Sequence, residues 1–466
     1  MRAMAAEEPR QSPDRGRQAT SRGGAAPEPG GRVPGRVWSG TALQAAGRIY
    51  GAACTFGILA LLARHLPTAE FGLYTFYLGV FLVLDALADF GTGAAAVQHT
   101  STRPDALART LAAARRVRLV AGGIGFLVLA VGTHLAGEAD ALWLTLAGLY
   151  PLTHVLELST VPLRNRIDWR VPAGSRALAS TVRIGLVLGL WSADVDSAGP
   201  FVLVTALGSS TANLVMAAVA RRMAPVPRLS AAERRPLPYG PLLRLAAPLG
   251  IAGLAQQAYF HVDNLFVRPL AGAEQLGLYN AGVRLMSFGI MVAQYAGLAA
   301  LPWLARLHAE GRLAVGLARL GQPLFVLACA GAGLALPLAD RVLALLFGPD
   351  FSAGGGALAW LLGALCMIYL GALHLTAVVA VGRTGAVLAI TAVALAANLV
   401  GNAWAVPRFG IEGAAATTLL TEGLVAAGAL VVLARAGVHS LGERPLGWLS
   451  GPAAFALGAA LTSALV

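Results

Sequence analysis

The sequence contains no lysine: each of the 35 basic residues among its 466 residues is an arginine. A Walker-type nucleotide loop needs a lysine to bind the β- and γ-phosphates, so the missing lysine excludes a P-loop nucleotide hydrolase. An all-arginine basic complement is also typical of a protein from a bacterium with a GC-rich genome. The chain therefore looks bacterial, and any basic chemistry in it belongs to guanidinium groups.

Charge of either sign is also scarce. Charged residues make up 12% of the chain, whereas a soluble globular domain carries about 25%. Hydrophobic residues make up 57%, glycine occurs 56 times, and the mean hydropathy is +0.67. Small residues let membrane helices approach closely, so this composition predicts an all-α polytopic membrane protein. The net charge of +12 does not indicate nucleic-acid binding, because the arginines are dispersed among short loops.

Catalytic and metal-binding patterns are missing as well. The three cysteines, Cys54, Cys329 and Cys366, lie inside apolar runs without CxxC or metal-ligand spacing. We find no HExxH motif, no nucleophile–base pair and no nucleotide fingerprint. No loop exceeds about 20 residues, which leaves no room for an extramembrane catalytic domain of ~50 residues. We therefore predict no enzyme activity, no catalytic residue, no metal and no cofactor.

What the sequence does contain is a succession of apolar runs, each near the roughly 20 residues that a membrane helix needs. They are Trp38–Ala63, Leu73–Val97, Val117–Leu135, Ala141–Leu163, Val171–Trp191, Phe201–Ala220, Leu242–Val267, Leu278–Leu304, Leu317–Leu338, Gly356–Val381, Gly385–Val406, Gly413–Ala436 and Leu446–Val466. A basic, proline-containing stretch, Arg221–Gly240, divides the first six from the rest. The order predicts two groups of six helices and one additional segment.

A short turn between two apolar runs occurs twice. The first copy is Leu66–Tyr74 (LPTAEFGLY) and the second is Leu270–Tyr279 (LAGAEQLGLY). Similarity at a long offset indicates a duplicated unit. In an apolar chain, two like halves are typical of a transporter whose substrate site lies at the interface of the repeats.

The arginines alternate between loops. They are concentrated in the amino-terminal tail and after every second apolar run, as in the Arg103–Arg118 loop, whereas the intervening loops are acidic, as at Asp194. Cytoplasmic loops carry the excess of arginine in multi-pass proteins. The pattern predicts a bacterial plasma-membrane protein with a cytoplasmic amino terminus.

Four stretches follow each other in a recognisable order: Leu62–Gly93, Leu245–Val267, Leu345–Phe351 and Asn398–Gly423. Together they resemble the polysaccharide flippase branch of the multidrug/oligosaccharidyl-lipid/polysaccharide exporter superfamily. The resemblance extends over nearly all of Arg36–Arg435. The basic tail, the lack of lysine and the segment Leu446–Val466 depart from it, and the last leaves the helix count open between twelve and thirteen or more.

The resemblance implies two pseudo-symmetric six-helix lobes around a central cavity. We expect a disordered basic cytoplasmic tail at 1–36, an N-lobe at 37–220, a cytoplasmic linker at 221–241, a C-lobe at 242–437 and an extra C-terminal segment at 438–466. The implied function is the flipping, by alternating access, of a polyprenyl-pyrophosphate-linked oligosaccharide for cell-surface polysaccharide synthesis. The lipid-linked substrate and the bilayer are the expected partners, with polysaccharide assembly proteins as further candidates. The alternatives are a multidrug/cation antiporter, a peptidoglycan-precursor flippase and, from a different class, a membrane glycosyltransferase or polymerase.

Polar side chains inside the apolar runs are the candidate site residues, because a charge in hydrocarbon must face protein or water. A guanidinium grips phosphate oxygens through two parallel hydrogen bonds, so Arg48 and Arg284 are predicted to line a cationic cavity. Gln256, Gln257 and Asn264 are predicted to bind substrate there or to bond neighbouring helices. Glu157 and Arg183 are expected to snorkel towards the membrane surface or to serve packing within the lobe.

Four carboxylates inside apolar runs are candidates to bind a proton or cation, or to form salt bridges. They are Asp85, Asp89, Asp263 and Glu422. At ~1.5 Å rise per residue, Arg48 and Asp89 share one depth, and Asp263 and Arg284 share another. Two interpretations stay open: these pairs tie helices together, or the arginine exchanges its carboxylate for phosphate.

The arginine pattern makes a topology prediction. A cysteine introduced into the Arg103–Arg118 loop should resist a membrane-impermeant thiol reagent in intact cells, and a cysteine near Asp194 should react. The reverse labelling pattern would contradict the proposed orientation. A cysteine placed after Val466 tests separately whether Leu446–Val466 crosses the membrane.

Overall fold

The computed structural model describes residues 35–166, 168–227, 239–443 and 445–465. These residues form sixteen α-helices and no strand. The helices are α1 (Gly35–His65), α2 (Thr68–Asp89), α3 (Thr92–Thr102), α4 (Leu107–Leu135), α5 (Ala141–Ala147), α6 (Tyr150–Thr153), α7 (Val161–Asn165), α8 (Arg170–Ser192), α9 (Ala198–Met223), α10 (Tyr239–Ala271), α11 (Ala273–Ala309), α12 (Leu313–Ala335), α13 (Ala339–Phe347), α14 (Gly355–Ala380), α15 (Thr384–Ala434) and α16 (Pro445–Leu465). Four 3₁₀ segments, Pro104–Ala106, His154–Thr160, Leu336–Leu338 and Pro349–Gly354, connect them. The tail expected at 1–36 lies outside the described residues up to 34, as do 228–238 of the expected linker.

Eight helical segments of the described chain are long and apolar enough to cross a membrane. They are Thr68–Thr102, Pro104–Leu135, Ala141–Asn165, Ala198–Met223, Ala273–Ala309, Leu313–Phe347, Pro349–Ala380 and Thr384–Ala434. The predicted spans in α1, α8, α10 and α16 do not meet that criterion, although each is helical. Helices α8 and α10 carry charged side chains such as Arg183, which is half-buried, and Asp263, which is buried. The chain is a multi-pass, all-α membrane protein.

A glycine divides the longest helix where the sequence predicts two spans. Within α15, Gly410 has φ +56° and ψ −136°, a left-handed conformation that interrupts the helix. Glycine adopts positive φ without the steric cost that a Cβ atom brings. The segments before and after Gly410 therefore form two helices of the second lobe.

The two lobes make one of their close contacts where the repeated turns lie. We call this end of the bundle, with the turns at 66–67 and 271–272, the hairpin end; the linker end is the opposite one, with Met223 and Tyr239. A Cβ atom on Gly72 of α2 would lie 2.1 Å from the Ala273 carbonyl oxygen. A Cβ on Gly277 of α11 would lie 2.2 Å from the Thr68 carbonyl oxygen. Each repeat thus supplies a glycine whose lack of a side chain lets the backbone of the other repeat approach closely. We name this crossing of α2 and α11 the hairpin seam.

Hydrogen bonds beside the seam follow the same pseudo-symmetry. Tyr74 lies 3.2 Å from the Thr205 hydroxyl in the first lobe, and Tyr279 lies 3.3 Å from the Thr418 hydroxyl in the second. These tyrosines occupy matching positions of the two repeats. Across the seam, the Asn280 amide donates to the Thr75 hydroxyl at 3.0 Å. The sequence duplication is therefore a structural duplication.

The C-terminal segment is a helix that packs on the second lobe. Helix α16 lies against α12 through glycines on both sides: Gly321 faces Trp448, Gly333 faces Phe455, and Gly451 faces Phe325. The Trp448 indole donates to the Ser440 carbonyl at 3.1 Å, and Ser440 lies 2.9 Å from His374 of α14. The additional segment is therefore part of the folded bundle.

The hairpin seam predicts a steric mutation. Gly72→Val places atoms inside van der Waals distance of the Ala273 backbone, and overpacking of this kind costs about 1–3 kcal/mol. We expect a lower midpoint of thermal unfolding in detergent and less folded protein. Gly57→Ala is the matched control, because no atom lies within 4 Å of the added Cβ. Equal unfolding midpoints for Gly72→Val and the control would contradict the close contact at the seam.

Candidate functional site

A cavity of about 750 Å³ lies between the lobes. The first lobe contributes α1, α2, α8, α9 and the segment from α6 to α7, and the second lobe contributes one face of α11. That face is Arg284, Ser287, Phe288, Met291 and Tyr295, whose spacing puts them on one side of a helix. At the linker end the lining includes Arg164 and Trp169.

The cavity lining is rich in arginine. Arg164, Arg176 and Arg183 of the first lobe and Arg284 of the second line it, against the carboxylates of Asp85 and Glu157. In the described part of the chain, Arg164, Arg183 and Arg284 form no ion pair within 4.0 Å. Walls of low dielectric strengthen the field of such charges, so the cavity attracts anions.

The cavity arginines are oriented by uncharged neighbours. The Arg183 guanidinium donates to the Ser180 hydroxyl at 3.3 Å. The Arg164 guanidinium lies 5.6 Å from the centre of the Trp169 ring, within cation–π range. Buried Nε atoms of Arg164 and Arg183 have no hydrogen-bond partner among the described residues. These two donors are therefore unsatisfied in the described structure.

The structure brings one predicted substrate ligand into this cavity and separates three others from it. Arg284 lines the cavity, whereas Gln256, Gln257 and Asn264 of α10 are not among its lining residues. The Gln257 amide lies 3.5 Å from the Leu82 carbonyl oxygen, and Asn264 is buried. The side chain of Arg48 lies outside the described residues, although Gly47 and Gly51 beside it line the cavity.

Asp89 has an arginine partner that helix depth did not suggest, whereas its predicted pairing with Arg48 stays a prediction. Asp89 forms an ion pair with Arg118 of α4, which also lies 3.3 Å from the Glu157 carboxylate. Arg118 is 1% exposed, and it donates to the Thr92 hydroxyl at 2.9 Å. The sequence pattern put Arg118 in a cytoplasmic loop. That assignment was wrong, because α4 begins at Leu107 and carries Arg118 into the lobe.

Asp85 lies at the other end of the same polar cluster. The Tyr150 hydroxyl donates to its carboxylate at 2.9 Å, and the His154 Nε2 atom lies 3.1 Å from it. The His154 carbonyl accepts a hydrogen bond from Arg118 at 2.6 Å. Asp85 and Asp89 therefore belong to one network that joins α2, α4 and the fourth span.

The second-lobe carboxylates have uncharged partners. Asp263 accepts hydrogen bonds from Tyr279 at 2.6 Å, from the Asn402 amide at 2.8 Å and from Thr418 at 3.1 Å. The pairing with Arg284 that shared depth suggested is absent from the described contacts of Asp263. Glu422 accepts a hydrogen bond from Tyr259 at 2.9 Å. In the described ranges, no group of three or more His, Cys, Asp or Glu side chains is placed to hold a metal ion.

Sequence reasoning missed several lining residues. Arg183 and Glu157 are not predicted from the sequence as substrate ligands, and Arg164, Arg176, Tyr150 and His154 are not singled out by it. One signal was available: the fourth apolar run contains Pro151 and Pro162. Discontinuous membrane helices often line transporter sites.

Comparison with known proteins supports this architecture. A family model described as polysaccharide biosynthesis protein matches residues 37–308. No protein among curated sequences is significantly similar to the chain. Among solved structures, the lipid II flippase MurJ in an inward closed conformation is similar with a TM-score of 0.67 and 11% identity, covering 91% of this chain and 98% of MurJ.

Two further structures belong to the MOP superfamily. A multidrug resistance MATE family transporter in an inward-facing conformation has a TM-score of 0.64 and 14% identity, covering 84% of this chain and 96% of the transporter. A transporter from Pyrococcus furiosus, described as having a binding pocket of reverse polarity, has a TM-score of 0.56 and 14% identity, covering 86% and 94%.

Identities this low establish the fold alone, which is the two-lobed fold shared by MurJ and the MATE transporters. The family match covers more than half of the 466 residues. The chain therefore belongs to the polysaccharide biosynthesis protein family.

Proposed function

We propose that the protein flips a polyprenyl-pyrophosphate-linked oligosaccharide across the bacterial plasma membrane. The observation that carries this proposal is the arginine-lined cavity between the lobes, with Arg284 on one lobe and Arg164, Arg176 and Arg183 on the other. A diphosphate in the membrane interior has lost the hydrogen bonds that it makes to water. Guanidinium groups replace them with pairs of parallel hydrogen bonds in one plane. Arg48 remains a predicted member of the same set.

Alternating access would follow from the position of the seam. The lobes are in close contact at the hairpin end, and the cavity lies deeper in the bundle, where Arg164 and Trp169 line it towards the linker end. The arginine-rich loops put the linker end on the cytoplasmic side. We infer that the headgroup enters from the cytoplasm, and that separation at the hairpin seam releases it outside. Because Arg284 moves with the second lobe, it would hold the diphosphate while the first-lobe arginines withdraw.

A peptidoglycan-precursor flippase is the second candidate function, favoured by the structural similarity to the lipid II flippase MurJ. Its substrate would carry the same diphosphate, so the arginines do not separate the two. A multidrug/cation antiporter is disfavoured, because four lining arginines repel a cation. Flipping assays with the lipid-linked oligosaccharide and with the peptidoglycan precursor, in vesicles of the same preparation, distinguish the two flippase functions. Proteins of polysaccharide assembly remain proposed partners.

We assign energy coupling to the second-lobe carboxylates. Asp263 is surrounded by neutral oxygen and amide groups, so a bound proton or small cation would neutralise its charge. Glu422 lies on α15 near Thr418 and Thr421. The Tyr259 hydroxyl is within hydrogen-bond distance of both Glu422 and Thr421. The first-lobe carboxylate Asp89 has a guanidinium partner instead, which supports a structural role for it.

Arg284 gives the direct test of the proposed function. Lysine keeps the charge but loses the bidentate geometry, so Arg284→Lys should retain partial flipping of a lipid-linked oligosaccharide in proteoliposomes. Arg284→Gln should reduce flipping of the same lipid at least tenfold, because a charge-assisted contact in a dry site contributes on the order of 2 kcal/mol to substrate binding. The measurement is the fraction of labelled headgroup that becomes accessible outside the vesicle.

Arg306→Gln is the matched control, since Arg306 lies on the same helix and is exposed outside the cavity. Flipping by Arg284→Gln at the rate of this control would refute the diphosphate-binding role. Formation of a new glycosidic bond in the same vesicles would instead indicate a glycosyltransferase or polymerase.

Arg118 provides a test of the first-lobe network. Arg118→Gln leaves Asp89 and Glu157 without their guanidinium partner, and we expect a loss of roughly 1–3 kcal/mol because both carboxylates are only about one-third exposed. Adding Asp89→Asn should recover part of the lost stability, measured by thermal unfolding in detergent. Additive losses in the double variant would contradict the pairing.

A further inference from the structure

The fourth span is not one continuous helix. It consists of α5, α6, the 3₁₀ segment His154–Thr160 and α7. A 3₁₀ run of seven residues is longer than usual and often marks a functional hinge. Tyr150, His154 and Glu157 come from this irregular part, and all three line the cavity.

His154 lies between the two carboxylates of the cavity. Its Nε2 atom is 3.1 Å from Asp85 and 3.1 Å from the Tyr150 hydroxyl. Its Nδ1 atom is 3.8 Å from Glu157, and this buried atom has no hydrogen-bond partner among the described residues. A neutral imidazole carries one N–H and can donate to one side only, whereas the protonated ring donates from both nitrogens.

The charges around His154 come from every neighbouring element. Asp85 and Glu157 face the ring, and Arg118 of α4 binds its carbonyl oxygen. Arginines of α7, α8 and α11 line the same cavity, namely Arg164, Arg176, Arg183 and Arg284. Among the described lining residues, His154 is the only imidazole. Imidazole is the side chain whose ordinary titration falls between pH 5 and 8.

We propose that His154 is a proton-binding site that sets the affinity of the cavity for an anionic headgroup, a proposal that rests on the proposed function. The ring takes one proton from water in the cavity and gains one positive charge. The protonated ring directs one N–H towards Asp85 and the other towards Glu157, so the net negative charge that these groups place in the cavity falls by one and the lining arginines hold a diphosphate more tightly. Loss of the proton returns one uncompensated negative charge to the cavity, which repels the diphosphate.

Binding as a function of pH tests this proposal. The probe is a short-chain, water-soluble prenyl diphosphate sugar, whose charge stays constant between pH 6 and 8 because each phosphate keeps one strongly acidic oxygen. Calorimetry on the full chain in detergent should show the wild-type affinity falling roughly tenfold from pH 6 to pH 8, as for removal of one nearby charge. His154→Gln should bind with the same affinity at both pH values, and Asp85→Asn should regain affinity at pH 8. His308→Gln, at an exposed position of α11, should behave like wild type.

A second measurement separates this proposal from the proposed function. The imidazole NMR signal that disappears in His154→Gln should titrate between pH 5 and 8 in the wild-type protein without ligand. A signal that stays in one protonation state, or an unchanged pH dependence in His154→Gln, overturns the proposal. A titrating signal in a protein that binds no diphosphate at either pH refutes the proposed function and the headgroup role, and supports only the protonation site.

Discussion

The close approach of α2 and α11 at the hairpin seam is the constraint on which the rest of the structure depends. Gly72 and Gly277 each admit the backbone of the other repeat, so the lobes touch near a pseudo-two-fold axis rather than through long side chains. Lipid supplies no hydrophobic force between helices, and such contacts depend on packing of small residues and on interhelical hydrogen bonds. At the seam, the interhelical hydrogen bond is the one that the Asn280 amide donates to the Thr75 hydroxyl. A contact this close has few intermediate positions, which suits lobes that are either closed or apart at this end.

The seam also explains where the charges lie. A guanidinium or carboxylate in the membrane must face protein or water, and the space between the lobes is where both are available. Arg118 faces protein, since three elements of the first lobe surround it. Arg284 instead faces the cavity between the lobes rather than a carboxylate. The chain therefore contains both a buried, paired arginine and a cavity-lining one.

The fold was largely predictable from the sequence, because it depends on composition and period. Apolar run length, arginine alternation and the repeated turn are local properties, and they correctly gave two six-helix lobes with a helical C-terminal segment. The site was less predictable because it depends on which face of each helix points inwards. Depth along a helix did not reveal Arg118 as a partner of Asp89, because the arginine pattern put Arg118 in a loop. Likewise, Gln256, Gln257 and Asn264 have the right chemistry on a helix that packs against the other lobe. Arginine counting misplaced Arg118, since a basic residue near a helix end reads as a loop residue.

The two lobes keep the same scaffold but differ in electrostatics. Both hold a carboxylate against a tyrosine hydroxyl: Asp85 with Tyr150 in the first lobe, and Asp263 with Tyr279 in the second. In the first lobe this pair continues through His154 and Glu157 to a buried guanidinium, so the network carries charges of both signs. In the second lobe, the contacts of Asp263 end in an amide and a threonine, which are neutral. The cavity-lining charges of both signs thus belong mainly to the first lobe, whereas the second lobe contributes Arg284 alone among the charged residues that are described as lining the cavity. The duplicated lobes therefore share a scaffold but not a charge distribution.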